Sequence, residues 1–285
     1  VPLKAVVAAF REKHPQVEVL LEAAGSRDCA RKVSELKRPC DVLTSADYQV
    51  IDQLLIPVHA DWNLRFATNE MALVYREQSR RAAEINDRNW FEILRDKKVS
   101  FGRADPNSDP CGYRAGLAMK LAEKYYQQPG LAERLQAKDV GFIRPKETDL
   151  LALLESGSID YIFLYRSVAL QHKLKFLALP DAINLRSPEL AKEYAGVSVT
   201  LRGAKPGETL EQKGEAMVYG VTIPKTSENP AAAVAFVRFL VDAPGRKILS
   251  DLGQPSAVPS PATGYEKLPA ELKPFAIAPA AATAP

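Results

Sequence analysis

Residues 99–127 read VSFGRADPNSDPCGYRAGLAMKLAEKYYQ, and this stretch decides the fold class. Its apolar start, Val99–Gly102, is typical of a short buried strand. Asp109 and Pro110 follow where a helix begins, because Asp caps helix N-termini and Pro fits the first turn. The spacing of apolar residues from Cys111 to Gln127 predicts the longest helix of the chain. The stretch therefore predicts a strand, a polar loop and a capped helix in succession.

The same order of strand and helix recurs on both sides of this stretch. Apolar runs between turn residues predict strands, and apolar residues spaced by three and four predict helices. The predicted neighbours are the helix Pro2–Phe10, the strand Val17–Leu21, the helix Ser26–Leu36, the strands Asp41–Thr44 and Met71–Tyr75, the helix Thr148–Glu155 and the strand Tyr161–Tyr165. Alternation of this kind predicts an α/β protein with parallel strands.

Length and composition limit the classes of protein that fit. The chain has 285 residues, which is more than one core usually holds and predicts two compact units. Hydrophobic residues make up 46% and charged residues 26%, which excludes a disordered, collagen-like or disulfide-scaffold protein. The 38 basic and 35 acidic residues are spread along the chain, so we expect no nucleic-acid partner. No stretch approaches the ~20 consecutive apolar residues of a membrane span.

The cysteines do not indicate a metal site. Cys29, Cys40 and Cys111 include no CxxC pair, and the histidines do not stand at metal-ligand spacing from them. A Cys29–Cys40 disulfide is left open, because the sequence does not give its geometry. At a helix start, the pKa of the Cys111 thiol would fall, which would make it a nucleophile. We favour the interpretation that only its backbone N–H matters, because no catalytic motif accompanies it.

Three predicted helix starts carry small or acidic residues. They are Gly25–Ser26, Ser45–Asp47 and Asp109–Gly112. Helix N-termini present unpaired N–H groups and a partial positive charge, so several of them together can bind an anion without Lys or Arg. The other interpretation is that the side chains of Ser26, Ser45 and Asp109 only cap their helices. The residues alone leave both interpretations open.

Eight segments, in this order along the chain, resemble the tungstate- and molybdate-binding proteins of ABC transporters, a family with WtpA and ModA types. The resemblance is to the WtpA type and extends to about Pro259. The segments are Glu22–Ser26, Arg31–Leu36, Asp41–Tyr48, Pro57–Trp62, Asn107–Arg114, Ile159–Tyr161, Tyr165–Ala169 and Val218–Pro224.

The resemblance implies a two-lobed periplasmic-binding-protein fold of class II, with the ligand in the cleft between the lobes. Lobe 1 would comprise residues 1–69 and 181–259, and lobe 2 residues 70–180. Composition predicts an extended or disordered Pro/Ala-rich tail over residues 260–285. The family begins with a strand and a Gly/Ser loop, whereas this sequence begins at what resembles the first helix. We therefore expect the first strand, and the serine that its loop supplies, to be missing from this sequence.

The resemblance also implies a ligand set. The residues implied to bind oxyanion oxygens are Ser26, Ser45, Tyr165 and the backbone of Cys111 and Gly112, and those implied to coordinate the metal are Asp109 and Glu147. Two carboxylates beside a dianion repel it unless they bond to its central atom. W(VI) and Mo(VI) can expand from four to six oxygen ligands and the sulfur of sulfate cannot, so such a site rejects sulfate. Taken alone, Glu147 is a solvated charge in a helix first turn.

The implied function is capture of tungstate or molybdate outside the cytoplasm, in the periplasm of a cell that has one, and delivery to the membrane permease of an ABC transporter. We expect a monomer that has no cofactor and is not an enzyme; a lipid anchor through a removed N-terminal segment is left open. Two alternatives are a binding protein for another oxyanion such as sulfate, and an enzyme on the same scaffold. In the enzyme, Cys111 or Asp109 would be the reactive group.

Overall fold

The computed structural model describes residues 2–202 and 208–278. The chain forms two compact units. Unit 1 comprises Val1–Thr68 and Val218–Pro285, and unit 2 comprises Asn69–Met217. The chain therefore passes from one unit to the other twice, at residues 68–69 and again at residues 217–218.

Twelve α-helices lie in the described residues. In chain order they are α1 (Pro2–Lys13), α2 (Ser26–Ser34), α3 (Tyr48–Leu54), α4 (Trp90–Arg95), α5 (Pro110–Tyr125), α6 (Leu131–Asp139), α7 (Glu147–Glu155), α8 (Arg166–Gln171), α9 (Asp181–Asn184), α10 (Ala191–Ala195), α11 (Pro230–Val241) and α12 (Ala243–Asp251). Short 3-10 turns lie at Val140–Phe142, Pro188–Leu190, Tyr265–Lys267 and Ala270–Phe275.

The strands of the described residues form three sheets. In chain order they are β1 (Leu43–Ser45), β2 (Asn63–Thr68), β3 (Met71–Tyr75), β4 (Phe101–Ala104), β5 (Ile143–Arg144), β6 (Tyr161–Tyr165), β7 (Lys175–Ala178), β8 (Ser198–Arg202), β9 (Thr209–Lys213), β10 (Val218–Thr222), β11 (Ser260–Thr263) and β12 (Ala276–Ile277). Unit 1 holds one five-stranded sheet, and unit 2 holds another together with the β8–β9 hairpin.

Unit 1 is built on the strand order β1-β10-β2-β11-β12. The ladders from β1 to β11 are antiparallel, and only β11 and β12 run parallel. Helix α1 buries Val6, Val7 and Phe10, which recur at helical spacing on one face. That face packs with Phe236 and Leu240 of α11 into the main core of the unit. The sheet thus carries a helical layer that the amphipathic spacing predicts.

Unit 2 is built on the strand order β5-β4-β6-β3-β7. Strand β4 pairs in parallel with both β5 and β6, whereas β3 runs antiparallel to β6 and β7. Trp90, Phe101 and Phe163 fill the centre of the core with edge-to-face ring contacts. The parallel strands β4, β5 and β6 end at the same edge of the sheet, and a helix follows each of them, after a loop for β4 and β5 and directly for β6.

Two expectations about the first strands are wrong. The segment Val17–Leu21 forms no strand, and Leu20 in it is 85% exposed. Strand β1 lies at the sheet edge and pairs antiparallel with β10, not in parallel with a neighbour in sequence. Local alternation missed this because the partner of β1 comes from the distant segment Val218–Thr222. The free side of β1 has no strand against it within the described parts of the chain.

The second boundary between the units differs from the prediction. The sequence placed it after Pro180, but unit 2 continues to Met217. Ile183, Leu185 and Tyr194 are completely buried in the core of unit 2, and the N–H of Met217 donates to Leu185. The predicted boundary fails because these apolar residues need that core. The first boundary lies one residue before the one predicted.

The predicted tail is also partly wrong. Residues 260–277 include β11 and β12, and β11 pairs with β2 in the sheet of unit 1. Leu268 and Leu272 between them are buried in the core. Burial of these two leucines packs the segment against unit 1, although its Pro and Ala content predicts an extended or disordered chain. Residues 279–285 of the predicted tail lie outside the described residues.

Candidate functional site

The candidate residues of unit 2 lie where its parallel strands end. Helix α5 follows β4, helix α7 follows β5, and helix α8 follows β6 directly. The ends of β4 and β5 are joined by a hydrogen bond from the Asp105 N–H to the Arg144 carbonyl at 2.7 Å. The carboxyl ends of adjacent parallel strands are where α/β sheets bind ligands. The topology therefore brings the Asp109, Glu147 and Tyr165 segments to one edge.

Asp109 joins two helix N-termini. Its Oδ1 accepts from the N–H of Cys111 at 2.8 Å, which caps α5. Its Oδ2 accepts from the N–H of Glu147, the first residue of α7, at 3.1 Å. Both helices therefore present the positive ends of their dipoles to one carboxylate. The capping interpretation is correct for Asp109, and the second bond places Glu147 beside it.

The Glu147 carboxyl is held in an unfavourable environment. Its Oε2 is buried and has no hydrogen-bond partner within residues 2–202 and 208–278. Burial, and then the nearby charge of Asp109, raise the pKa of Glu147 to about 7, while Arg114 acts in the opposite direction. Most buried polar atoms in proteins find a partner, so this carboxylate oxygen is free to accept a hydrogen bond from, or to coordinate, a further group. The solvated charge that the residue alone suggested is not what the structure shows.

Tyr165 and Arg114 complete the cluster in unit 2. The hydroxyl of Tyr165, at the end of β6, accepts a hydrogen bond from Arg114 Nη1 at 2.9 Å. Arg114 is only 8% exposed, and its guanidinium lies 5.7 Å from the centre of the Tyr165 ring. Burial raises the pKa of the Tyr165 phenol well above its usual value, so the phenol stays protonated. Arg114 and Glu147 both act on this phenol electrostatically, which groups the three side chains.

Sequence reasoning missed Arg114. A signal was present, because Arg114 follows Cys111 by three residues and therefore lies on nearly the same face of α5. If the loop before a helix binds an anion, an arginine within that helix can offset the negative charge of the anion. Helix N-termini can bind an anion without Arg or Lys, so the helix starts alone give no reason to expect a cation here.

Cys111 and Gly112 have their backbone N–H groups engaged. Cys111 N–H donates to Asp109 Oδ1, and Gly112 N–H donates to the Asp109 carbonyl at 2.9 Å. A Cβ on Gly112 would lie 2.3 Å from the Ala104 carbonyl oxygen, so only glycine lets α5 approach the end of β4 this closely. An anion that uses these amides would share them with Asp109. Their predicted role therefore stays a prediction.

The reactive-thiol interpretation of Cys111 does not agree with the structure. Its side chain is completely buried and donates to the Phe163 carbonyl at 3.6 Å. Burial, with the charges of Glu147 and Asp109, raises the pKa of the Cys111 thiol well above its usual value. The helix dipole was expected to lower this pKa, but loss of water and two nearby carboxylates outweigh it. A protonated, enclosed thiol is a poor nucleophile.

The candidate serines lie in unit 1. Ser26 is the first residue of α2, and its Oγ accepts from the N–H of Ala46 at 3.0 Å. Ser45, at the end of β1, is 2% exposed, and its Oγ accepts from the N–H of Asp47 at 3.2 Å. Asp47, not Ser45, caps α3, and Gly25 occupies the N-cap of α2. The capping interpretation is thus wrong for both serines. They lie close together, because the residue after Ser45, Ala46, donates its N–H to Ser26.

The described residues include no cluster of the kind that holds a metal ion in a protein. No group of three or more His, Cys, Asp or Glu side chains within residues 2–202 and 208–278 is arranged to hold a metal ion. Cys29 and Cys40 are both free thiols, so the disulfide that the sequence left open is not formed. Across the part of the chain that the structure describes, no helix combines the length and the apolar character needed to cross a membrane.

Comparison with known proteins gives the class. The family model for bacterial extracellular solute-binding proteins matches residues 1–253. The chain belongs to this family of solute-binding proteins. An uncharacterized solute-binding protein of Petrotoga mobilis is 47% identical over 276 residues, which are 96% of this chain and 86% of that protein. The molybdate/tungstate-binding protein WtpA of Thermococcus kodakarensis is 40% identical over 291 residues, which are 93% of this chain and 80% of that protein.

A solved structure supports the fold independently. The periplasmic molybdate-binding protein of Azotobacter vinelandii has a TM-score of 0.60 at 15% identity, and the match covers 89% of this chain and 93% of that one. At such identity the likeness concerns the fold alone. The α/β fold of the periplasmic binding proteins, predicted from the resemblance, is confirmed.

Proposed function

We propose that this protein captures tungstate or molybdate outside the cytoplasm and delivers the anion to the membrane permease of an ABC transporter. The observation that carries the proposal is the buried Oε2 of Glu147, which has no partner in the part of the chain that the structure describes and lies beside the Asp109 carboxylate. This oxygen would bond to the metal atom of the bound anion. We expect the protein to act as a monomer, with no resident cofactor and no catalytic step.

The charges explain why the central atom of the anion matters. Two unit charges 4 Å apart interact with about 4 kcal/mol at an effective dielectric constant of 20. A dianion that approached Asp109 and Glu147 through its oxygens alone would therefore be repelled strongly. Direct bonds from the carboxylates to W(VI) or Mo(VI) convert that repulsion into coordination. Sulfate and phosphate cannot expand their coordination in this way, so the carboxylates select against them.

The other polar groups would hold the oxygens of the anion. Tyr165 offers a phenolic O–H that burial keeps protonated. We propose Ser26 and Ser45 of unit 1 as further oxygen ligands, as the resemblance implies. The shared amides of Cys111 and Gly112 would lie at the positive end of α5, which favours negative charge.

A relative supports the choice of ligand. The Thermococcus kodakarensis relative, at 40% identity, is named for molybdate and tungstate. The enzyme alternative has no support in the site, because the Cys111 thiol is enclosed and Asp109 is engaged by two amides. The proposal also includes a location in the periplasm or an equivalent extracytoplasmic space, as the family's description suggests.

Calorimetry tests the proposal. The parent chain is titrated with tungstate, molybdate, sulfate and phosphate, and the tungstate titration is repeated with Glu147→Gln. The control is Glu155→Gln, the same exchange at the exposed opposite end of α7. We expect tungstate and molybdate to bind and sulfate and phosphate not to bind. Glu147→Gln should weaken tungstate binding by about 100-fold, since a charged interaction is worth roughly 1.5–3 kcal/mol, and the control should leave it unchanged.

Two results would overturn the proposal. One is tight binding of sulfate with none of tungstate, which would favour the alternative of another oxyanion. The other is a Glu147→Gln variant that binds tungstate as tightly as the parent, because the orphaned oxygen would then have no part in binding.

A further inference from the structure

Unit 2 contains a buried cation beside the candidate carboxylates. Arg114 is 8% exposed and lies on α5, one helical turn beyond the Asp109 cap. A buried guanidinium is costly unless opposite charges or hydrogen-bond acceptors surround it. Its surroundings include the Tyr165 hydroxyl at 2.9 Å and the ring faces of Tyr165 and Tyr113 at 5.7 Å and 5.6 Å.

We propose that Arg114 is a positioning residue for oxyanion binding, which offsets the charge of the Asp109–Glu147 pair and fixes the Tyr165 hydroxyl as a donor to the anion. This proposal rests on the oxyanion-binding function proposed above. The ligand set that the resemblance implies does not include Arg114, so this role is an addition to that set.

Arg114 brings a positive charge to a site that is otherwise negative. Asp109 and Glu147 bring two negative charges, and a bound dianion adds two more. Arg114 is the cation that acts on the Glu147 carboxyl, against the effects of burial and of Asp109. A guanidinium stays protonated at any physiological pH, so this compensation does not depend on the state of its neighbours. Without it, the carboxylates and the dianion would lose their nearby counter-charge.

The bond from Arg114 also sets the direction in which the Tyr165 hydroxyl donates. A phenol has one hydrogen to donate, and its oxygen accepts through lone pairs. The five N–H groups of a guanidinium only donate, so in the Arg114–Tyr165 bond the tyrosine oxygen is the acceptor. The tyrosine hydrogen must then donate elsewhere. A phenol that accepts from a cation is also a stronger donor, because hydrogen bonds in a chain polarise one another.

Four variants of the full chain test the proposal by calorimetry with tungstate. Arg114→Gln removes the charge and Arg114→Lys keeps it, while Tyr165→Phe removes only the hydroxyl. The control, Lys120→Gln, removes one positive charge from the same helix at a residue that donates to Ser198. We expect losses of affinity of about 100-fold for Arg114→Gln and about 10-fold for both Arg114→Lys and Tyr165→Phe, and no loss for the control.

A double variant separates positioning from general damage to the fold. If Arg114 acts through Tyr165, adding Tyr165→Phe to Arg114→Gln should cost clearly less than the tenfold that it costs alone. A purely structural arginine would give independent effects, and its lysine variant would lose as much affinity as its glutamine variant.

The outcomes distinguish this proposal from the one on which it rests. A parent chain that binds no tungstate contradicts the proposed function. A parent chain that binds it while Arg114→Gln binds within twofold overturns the role of Arg114 alone. If Arg114→Gln does not fold, equal losses for Arg114→Lys and the Lys120→Gln control overturn it as well.

Discussion

The two polar clusters of this protein differ in how well their groups are satisfied. In unit 1, the hydroxyls of Ser26 and Ser45 pair with the amides of Ala46 and Asp47. In unit 2, Glu147 keeps a buried oxygen with no partner among the described residues. Both serine oxygens of the first cluster thus have partners within the protein, whereas one carboxylate oxygen of the second cluster has none among the described residues. Under the proposed function, the carboxylate cluster would provide the chemical selectivity, and the serines would provide oxygen-binding groups of a common kind.

The largest expected effect comes from exchanging one capping aspartate in each cluster. Asp109 and Asp47 each cap a helix, with Oδ1 accepting at 2.8 Å and 2.9 Å. Asn keeps a capping oxygen, so both helices should persist in Asp109→Asn and Asp47→Asn. Since only Asp109 is a proposed metal ligand, its variant should bind tungstate about 100-fold more weakly, against less than about threefold for the other. Calorimetry measures the tungstate affinity of both variants. Equal losses of affinity would contradict the view that only the carboxylate cluster bonds to the metal.

The next effect is a dependence of binding on pH. Burial raises the pKa of Glu147 to about 7, and only the ionised carboxylate can coordinate a metal. Below pH 7, tungstate affinity should therefore fall by about tenfold per pH unit. Dissociation constants of the parent at pH 8, 7 and 6 check this prediction. The Glu147→Gln variant is the control, and its weaker binding should not show the same slope.

The same pKa has the opposite effect on the stability of the unliganded protein. Between the ordinary pKa of glutamate, 4.5, and the raised value of about 7, the folded state holds more protons than the unfolded state. The free energy of unfolding should therefore decrease as pH rises through this window, by up to about 3 kcal/mol from Glu147. Burial also raises the pKa of Asp139 to about 6, which adds in the same direction. Urea unfolding at pH 5 and pH 8 would contradict this if the parent were more stable at pH 8.

The smallest expected effect belongs to the serines. Ser26→Ala removes a neutral hydroxyl that accepts from Ala46, and no charge is lost. A hydrogen bond to a charged ligand is worth about 1.5–3 kcal/mol, so affinity should fall by 10-fold or somewhat more, without any change in its pH dependence. The control is Ser227→Ala, a serine of unit 1 that binds Asp41 and is not part of the cluster. A Ser26→Ala loss as large as that of Asp109→Asn would reverse the ranking of the two clusters.

The sequence predicted the local structure around the site because the determining interactions are local. The Asp109-Pro110 pair starts α5 as expected, and the strands at Met71–Tyr75 and Tyr161–Tyr165 have the predicted bounds. Helix capping, a proline in the first turn and apolar periodicity all act within a few residues. The helices and strands that they determine can therefore be predicted from the sequence.

Long-range pairing explains what the sequence could not give. The partner of β1 is β10, about 175 residues further along the chain, so nothing near Leu43 shows that the ladder is antiparallel. The bond from the Glu147 amide to Asp109 spans 38 positions, so nothing near Glu147 in the sequence shows that this first-turn glutamate lies beside a second carboxylate. The resemblance selected Glu147, whereas charge periodicity would have placed it in solvent.

Arg114 shows a further limit of the sequence. Its distance of three residues from Cys111 was visible, but its bond to Tyr165 depends on the approach of α5 to the end of β4. That approach requires Gly112, which leaves no room for a Cβ against the Ala104 carbonyl. A side chain at residue 112 would therefore push α5 away from the end of β4.

The central claim is that the carboxylates of Asp109 and Glu147 bond to the metal atom of the anion. X-ray absorption at the tungsten edge, measured on the parent chain saturated with tungstate, tests this claim directly. The account predicts six oxygen neighbours around tungsten in the parent and fewer in Glu147→Gln, compared with the four of free tungstate. A spectrum of bound tungstate with four neighbours, identical to that of the free ion, would contradict it.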